Sequence, residues 1–274
     1  MYKILKVRQL ADNVREYVIE APEVARAAKP GQFVILRLDE DGERVPFTIC
    51  DMDKEAGTIT LLIQTVGYTT MKMEELNAGD VILDFVGPLG NATDLDEFNN
   101  ILLVGGGIGA AVIYPQAKEL MKKGKPADVI VGARTKSLIM YEEEFKRNSK
   151  NLYIMTDDGS YSEKGFVTDK IKELVEADNS YDVVFAVGPL VMMRAVSNLT
   201  KQYNIHTIVS MNSIMVDGTG MCGGCRVTVG GKTKYACVDG PEFDGHQVDF
   251  DEALNRSGFF KEQESKHICR LRKV

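Results

Sequence analysis

The chain of 274 residues reads as a β barrel followed by an α/β unit and a small C-terminal hairpin unit, on three observations. The first third is a series of short apolar or alternating runs broken by turn residues. The middle third alternates strand-like and helix-like periods and carries a glycine run between one strand and one helix. Near the C-terminal end, three of the five cysteines gather in a glycine-rich stretch that begins at Met215 and closes at Cys237.

The bulk properties set the frame. The length suits two domains plus an appendage. An apolar fraction of 44% supports ordinary globular cores. No apolar run approaches the roughly 20 residues of a membrane span. The N-terminal residues alternate like a strand and lack the apolar core and cleavage site of a signal peptide. A net charge of -7 with no basic stripe argues against nucleic acid as a partner. Clustered cysteines do not resemble a secreted disulfide framework, and metal-binding thiols must stay reduced, so a cytoplasmic setting is expected. The expected divisions are 1–96 for the barrel, 97–210 for the α/β domain, 211–250 for the cysteine unit and 251–274 for a C-terminal helix or tail.

In the barrel, strands are expected at residues 2–7, 14–20, 32–38, 58–66 and 80–86, with one short helix at 70–76. Two polar stretches interrupt them. Arg44-Val-Pro46-Phe47-Thr48-Ile-Cys50 sets a cation, a rigid ring, an aromatic and a hydroxyl close together. Gly67-Tyr-Thr69-Thr70 stands at a strand end just before the helix, where amides and hydroxyls form an anion site. The pair suits a pyrophosphate and a flavin ring; the simpler reading of either stretch alone is a turn and an N-cap.

In the middle third, a strand at 99–104 leads at once into Gly105-Gly106-Gly107-Ile-Gly109 and a helix to about Lys122. A glycine loop between strand and helix lets phosphates approach the helix N-terminus. Pro115 should kink that helix. Strands follow at 128–132, 152–157 and 183–187, and helices at 165–177 and 189–203. This is a mostly parallel, Rossmann-like sheet, with ligands at the C-terminal strand ends. Those ends carry the glycine loop, Arg134 to Lys136, Asp157 to Ser160, and Gly188-Pro189-Leu190. Arg134 and Lys136 suit a 2′-phosphate, or equally a solvated loop or a pyrophosphate contact, so NAD and NADP stay open.

The cysteine stretch carries the most specific spacing. Plant-type iron–sulfur proteins space their ligands C-x4-C-x2-C with a distant fourth. Cys222 and Cys225 supply the C-x2-C and Cys237 the distant ligand. Asp217 stands where the first cysteine belongs, which points to a 2Fe–2S cluster held by three thiolates and a carboxylate. The competing reading of Asp217 is a turn former before Gly-Thr-Gly. Residues 225–237 read as a β-hairpin around Gly230-Gly231, returning Cys237 beside Cys225. A zinc site, with His246 as the nearby histidine, is the less favoured alternative. Cys50 and Cys269 read as plain isolated residues. A helix is expected at 251–264, with Phe259 and Phe260 in a solvated tail.

Pro30-Gly31-Gln32-Phe33-Val34, followed by the Arg44 to Thr48 segment, resembles the flavin domain of the ferredoxin–NADP reductase superfamily. The motif there is Arg-x-Tyr-Ser. With Thr48 matched to the serine and Phe47 to the tyrosine, Val45 falls where the arginine belongs, and Arg44 stands one position early. The resemblance implies FAD, with Arg44 serving its diphosphate and Pro46, Phe47 and Thr48 flanking its ring. The strand-end residues of the middle third are similar to the pyridine-nucleotide domain of the same superfamily, which implies NAD(H) or NADP(H).

Barrel, nucleotide domain and cysteine unit in this order resemble two related electron-transfer subunits. One serves the dihydroorotate dehydrogenase complex and holds its cluster with four cysteines. The other is the small subunit of the electron-bifurcating NADH-dependent ferredoxin:NADP oxidoreductase, where an aspartate at the place of Asp217 is the mark of the type. The second resemblance implies a heterodimer with a larger flavin and iron–sulfur subunit, NADH at this subunit, and ferredoxin reached through the complex. A reading from another class is a zinc-stabilised nucleotide-binding regulator without redox turnover.

Overall fold

A computed structural model describes residues 1–271. The N-terminal unit contains β1 (Tyr2–Ala11), β2 (Val14–Glu20), α1 (Pro22–Ala27), β3 (Phe33–Arg37), β4 (Val45–Thr48), β5 (Asp51–Asp53), β6 (Thr58–Gln64), α2 (Tyr68–Glu75), β7 (Val81–Ile82) and β8 (Asp84–Leu89). Its strands form two antiparallel sheets, β5-β6-β2-β1-β7 and β4-β3-β8. Alternating inward residues such as Ile4, Tyr17, Ile19, Val34, Leu36, Ile59 and Leu61 fill the space between them. The run expected as one strand at 80–86 is two. Residues of β7 pair with β1 and those of β8 with β3, so the chain bends to pass from one sheet to the other.

The second unit contains β9 (Ile101–Gly106), α3 (Ala110–Lys122), β10 (Asp128–Ala133), α4 (Glu142–Asn148), β11 (Asn151–Thr156), β12 (Glu163–Lys164), α5 (Val167–Glu176), β13 (Val183–Val187), α6 (Leu190–Gln202) and β14 (His206–Ser210). The sheet order is β12-β11-β10-β9-β13-β14, all parallel. Every residue of β9, β10 and β13 is buried, as expected of a sheet covered on both faces. The order reverses between β9 and β13, which opens a crevice at their C-terminal ends.

The third unit contains β15 (Arg226–Val229), β16 (Lys232–Tyr235), β17 (Glu242–Asp244), α7 (Phe250–Arg256) and α8 (Lys261–Leu271). β15 and β16 form the expected hairpin, with Gly230 and Gly231 both at positive φ, 58° and 73°. β17 adds an antiparallel edge strand to the parallel sheet beside β14, so the cysteine unit shares backbone hydrogen bonds with the α/β domain. The single helix expected at 251–264 is also two. Asp249 caps α7, accepting from Glu252 N at 2.9 Å, and the helix ends at Ser257-Gly258, a poor helical pair. The tail is not wholly solvated, because Tyr68 N of α2 donates to Glu264 Oε1 of α8 at 2.5 Å. Phe259 and Phe260 are exposed, and residues 272–274 of the expected tail lie outside the described residues.

Barrel and α/β domain are fused through one apolar core that runs from Val14, Cys50 and Leu62 to Ile113, Tyr114 and Phe145. Polar clamps close its edge. Lys118 of α3 binds both oxygens of Asp51, at 2.8 and 2.6 Å. Tyr141 donates to Glu16 Oε2 at 2.5 Å, and Arg8 pairs with the same carboxylate at 2.9 Å. Tyr141→Phe leaves a shielded carboxylate oxygen short of a donor. It should lower the unfolding free energy by about 1.5–3 kcal/mol, read as a lower urea midpoint at unchanged m-value.

Candidate functional site

Pro46, Phe47 and Thr48 lie on β4, the edge strand of the small barrel sheet, where a proline costs no ladder hydrogen bond. Their partners on β3 are Ile35, Val34 and Phe33 in that order. Gly67, Thr69 and Thr70 lie at the start of α2. Thr70 Oγ1 accepts from Val66 N and Gly67 N, each at 2.9 Å, and donates back to Gly67 O. Thr69 Oγ1 donates to Glu43 at 3.3 Å. The Glu264 carboxylate on Tyr68 N packs so closely on Gly67 that a side chain there would collide with it. The Glu264 carboxylate therefore sits on the Tyr68 amide, one of the donors a phosphate would use. Arg44 points elsewhere, its Nε donating to Val216 O of the cysteine loop at 3.0 Å.

The nucleotide crevice lies at the switch point of the sheet. Val187 and Gly105 are paired in register, so the glycine loop and Gly188-Pro189 are neighbours. A Cβ on Gly109 would overlap the Val187 carbonyl, and one on Gly106 or Gly188 would press into Met192. Gly107 has open space around it but a positive φ of 55°. The glycines thus let the loop at the start of α3 pack against Gly188 and Met192, where a helix N-terminus favours a dinucleotide phosphate. The next two strand ends are tied together: Asp157 N donates to Ala133 O at 3.0 Å, and Asp158 N to Arg134 O at 3.2 Å. Arg134 and Asp157 are both exposed on this rim. Lys136 is held over the Tyr161 ring, 4.7 Å from its centre.

The cysteine loop and hairpin dock on the barrel. Cys225 and Cys237 are buried with Phe33, Ile35 and Met215, and Leu89, Tyr235 and Phe243 pack around them. The two sulfurs are 3.2 Å apart, too far for a disulfide. Cys222 is exposed, its Sγ accepting from Gly224 N at 3.4 Å. Asp217 anchors the loop. Its Oδ1 accepts from Thr219 Oγ1 at 2.5 Å, and its Oδ2 from the amides of Thr219, Met221 and Cys222 at 3.1–3.4 Å. These bonds, the Thr219 hydroxyl first, hold its carboxyl below the usual range. Burial pushes the Cys237 thiol up to about 12, with the Cys225 sulfur and the Asp217 charge adding to it.

Two shielded sulfurs beside a carboxylate are electrostatically costly as thiolates unless a cation joins them. That donor set fits an iron–sulfur centre. Among the described residues no three His, Cys, Asp or Glu side chains converge on one metal-ion position. Cys225 and Cys237 form a close sulfur pair, the Asp217 charge acts on Cys237, and Cys222 is exposed on the same loop. His246 is bonded to Thr200 on α6 at 3.1 Å. Cys50 is buried in the joint between barrel and α/β domain, and the Cys269 side chain lies outside the described ones.

Sequence reading missed three contributors. Phe33 and Ile35 form the floor under the sulfurs; their place in a buried strand was readable, their partner was not. Glu264 reaches the amides of α2 from about two hundred residues away, and nothing in its local sequence signals that.

This is the layout of an oxidoreductase that joins a flavin, a pyridine nucleotide and an iron–sulfur centre. Residues 2–93 match the oxidoreductase FAD-binding domain, 103–198 the oxidoreductase NAD-binding domain, and 212–249 the iron–sulfur cluster binding domain of dihydroorotate dehydrogenase B. An uncharacterized Clostridium beijerinckii protein of the adh 3′ region is 51% identical, over 97% of this chain and 93% of its own length. A Thermotoga maritima homolog of the dihydroorotate dehydrogenase B (NAD(+)) electron transfer subunit is 45% identical, over 96% of this chain and 92% of its own. A chain from the structure of the NADH-dependent reduced ferredoxin–NADP oxidoreductase, a flavin-based electron-bifurcating enzyme, superimposes with a TM-score of 0.94. It is 44% identical and the match covers 99% of this chain and 98% of that one. The chain belongs to the family of dihydroorotate dehydrogenase B electron-transfer subunits and their homologues.

The glycine loop offers a direct check. Gly109→Ala drives a methyl group into backbone and should cost about 1–3 kcal/mol or more, whereas Gly107→Ala meets open space and should cost only the left-handed backbone term, ~1–2 kcal/mol. Chemical unfolding of both variants compares them, and a larger loss in Gly107→Ala would contradict the packing described.

Proposed function

We propose that this chain is the NADH-side subunit of an NADH-dependent ferredoxin:NADP oxidoreductase, passing electrons between NAD(P)H, FAD and a 2Fe–2S cluster. The observation that carries this reading is the packing of the cysteine pair on Phe33 and Ile35 of β3, the strand to which β4 is paired. Any flavin ring held along β4 stands one strand from the sulfurs. The likeness to the bifurcating enzyme over nearly both full chains supports the choice of enzyme, and so does Asp217 at the position of the missing cysteine.

The residues have the following roles in this reading. Gly105, Gly106, Gly107 and Gly109 open the amides of α3 to the nicotinamide dinucleotide, and Gly188-Pro189 walls the crevice. Arg134 and Asp157 line its outer rim. Gly67, Thr69 and Thr70 present α2 to the flavin diphosphate, and Pro46, Phe47 and Thr48 flank the ring. Arg44 braces the loop of Asp217 against the barrel rather than serving the diphosphate. Cys222, Cys225, Cys237 and Asp217 hold the cluster. Bound here, FAD would supply two-electron hydride chemistry and the cluster one-electron transfer. The chain supplies positioning, exclusion of water and electrostatics, and no side-chain nucleophile is needed. The partner in this reading is a larger subunit with its own flavin and iron–sulfur clusters, in the cytoplasm. Among the described residues no helix is long and apolar enough to cross a membrane.

The second reading is the electron-transfer subunit of a dihydroorotate dehydrogenase complex, favoured by the match at residues 212–249. Purification with the native partner separates the two. NADH-dependent reduction of ferredoxin and NADP supports the first, and electron flow from dihydroorotate to NAD supports the second. A purified protein without flavin or iron–sulfur absorption would sink both.

Asp217 gives a finer test. A carboxylate donates less electron density to iron than a thiolate, so Asp217→Cys should lower the reduction potential of the cluster. An unchanged or raised potential in a redox titration counts against Asp217 as a ligand.

A further inference from the structure

The first turn of α2 is covered from a distant part of the chain. Val66 N and Gly67 N are spent on Thr70 Oγ1, within the turn itself. The next amide, Tyr68 N, donates to Glu264 Oε1 of α8 at 2.5 Å. A backbone amide has one hydrogen, and a contact this close leaves no place for a second acceptor. Gly67 supplies the room, since a methyl group there would overlap the same carboxylate. Lys72 on α2 does not neutralise it, being paired with Asp39 at 2.8 Å. A second carboxylate, Glu43, stands at the same corner on the Thr69 hydroxyl.

The covering helix rests on α2 by one face and follows an unwedged turn. Glu264 and Ile268, one helical turn apart, are half-buried, while the other side chains from 261 to 266 are exposed. The preceding helix, α7, is anchored. Asp249 caps it, Phe250 is buried, and Arg256 Nη2 donates to Gly224 O at 3.1 Å. Between α7 and α8 lie Ser257, Gly258 and the exposed Phe259 and Phe260. A side chain on Gly258 would meet nothing closer than 3.6 Å, so packing does not lock the turn.

We propose that α8 is a displaceable lid on the flavin corner: Glu264 holds the Tyr68 amide until the diphosphate of FAD takes it, and α8 then swings away about Gly258. The inference rests on the reading that Gly67, Thr69 and Thr70 receive the diphosphate. Its physical basis is competition for one donor. Carboxylate and phosphate are both anions suited to a helix N-terminus, and at hydrogen-bonding range they repel each other. The displaced carboxylate regains water, so the exchange is reversible. The closed lid gives an otherwise unpaired amide an acceptor, and the position of α8 then reports whether flavin is bound.

The test uses the full chain, stripped of flavin and titrated with FAD, with binding read from the quenching of flavin fluorescence. Glu264→Ala should bind FAD about tenfold more tightly than the native chain, because closure lowers the competent fraction and with it the apparent affinity. Glu264→Gln, which keeps an acceptor without the charge, should fall between the two. Glu262→Ala removes an exposed carboxylate from the same helix and should leave the affinity unchanged. Amide hydrogen exchange gives a second readout. In the native chain FAD should protect residues 67–70 and at the same time speed exchange in α8. In Glu264→Ala, α8 should exchange fast with or without FAD.

Protection of residues 67–70 with α8 still protected overturns this inference alone, as does an unchanged affinity in Glu264→Ala. Equal tightening in Glu262→Ala reduces the effect to general charge and also overturns it. FAD binding that leaves residues 67–70 unprotected overturns the placing of the diphosphate and this inference with it. Should Glu264→Ala fail to fold, Glu264→Gln and the exchange of the native chain decide.

Discussion

The packing of Phe33 and Ile35 beneath Cys225 and Cys237 is the joint on which the arrangement depends. It brings the sulfur pair onto the inner strand of the small barrel sheet, whose outer strand carries Pro46, Phe47 and Thr48. Two further contacts keep that joint from sliding. β17 is zipped to β14 by backbone hydrogen bonds, and Asn91 N donates to Gly240 O at 2.7 Å. The cysteine unit is thus fastened to both larger domains. A cluster held there inherits a fixed distance to the barrel instead of swinging on a linker.

Both candidate corners rest on the start of a helix, where the first amides have no partner within the helix and an anion can accept from them. At α3 the space comes from glycines, because the Val187 carbonyl and Met192 crowd the loop. At α2 the hydroxyl of Thr70 organises the turn, and Glu264 occupies the amide of Tyr68. In the cysteine loop the roles reverse: Asp217 is the anion and its own loop supplies the amides. That explains how a carboxylate is held in place at an exposed turn beside two sulfurs.

Much of this was legible in the residues. Most of the barrel strands, the strand–glycine–helix unit and the hairpin around Gly230-Gly231 follow from local period and turn chemistry, whereas β4 and β5 are too short to stand out as strands. Departures occur where distant contacts decide. The run at 80–86 breaks because its two halves join different sheets, and the helix expected at 251–264 breaks at Gly258. Arg44, one position out of register with the superfamily motif, turns to Val216 O. Lys136, a plausible phosphate ligand by position, lies over Tyr161.

The sequence by itself determined the order of units, the hairpin that returns Cys237 beside Cys225 and the place of the glycine loop, because spacing and backbone permissiveness are local properties. The tertiary structure decided which surfaces meet: the sulfurs with Phe33 and Ile35, β17 with β14, Glu264 with α2, and Glu242 with Thr93 and Gln116. Each of these pairs residues far apart along the chain, and such pairing is set by how whole elements bury their apolar faces, which no short stretch encodes.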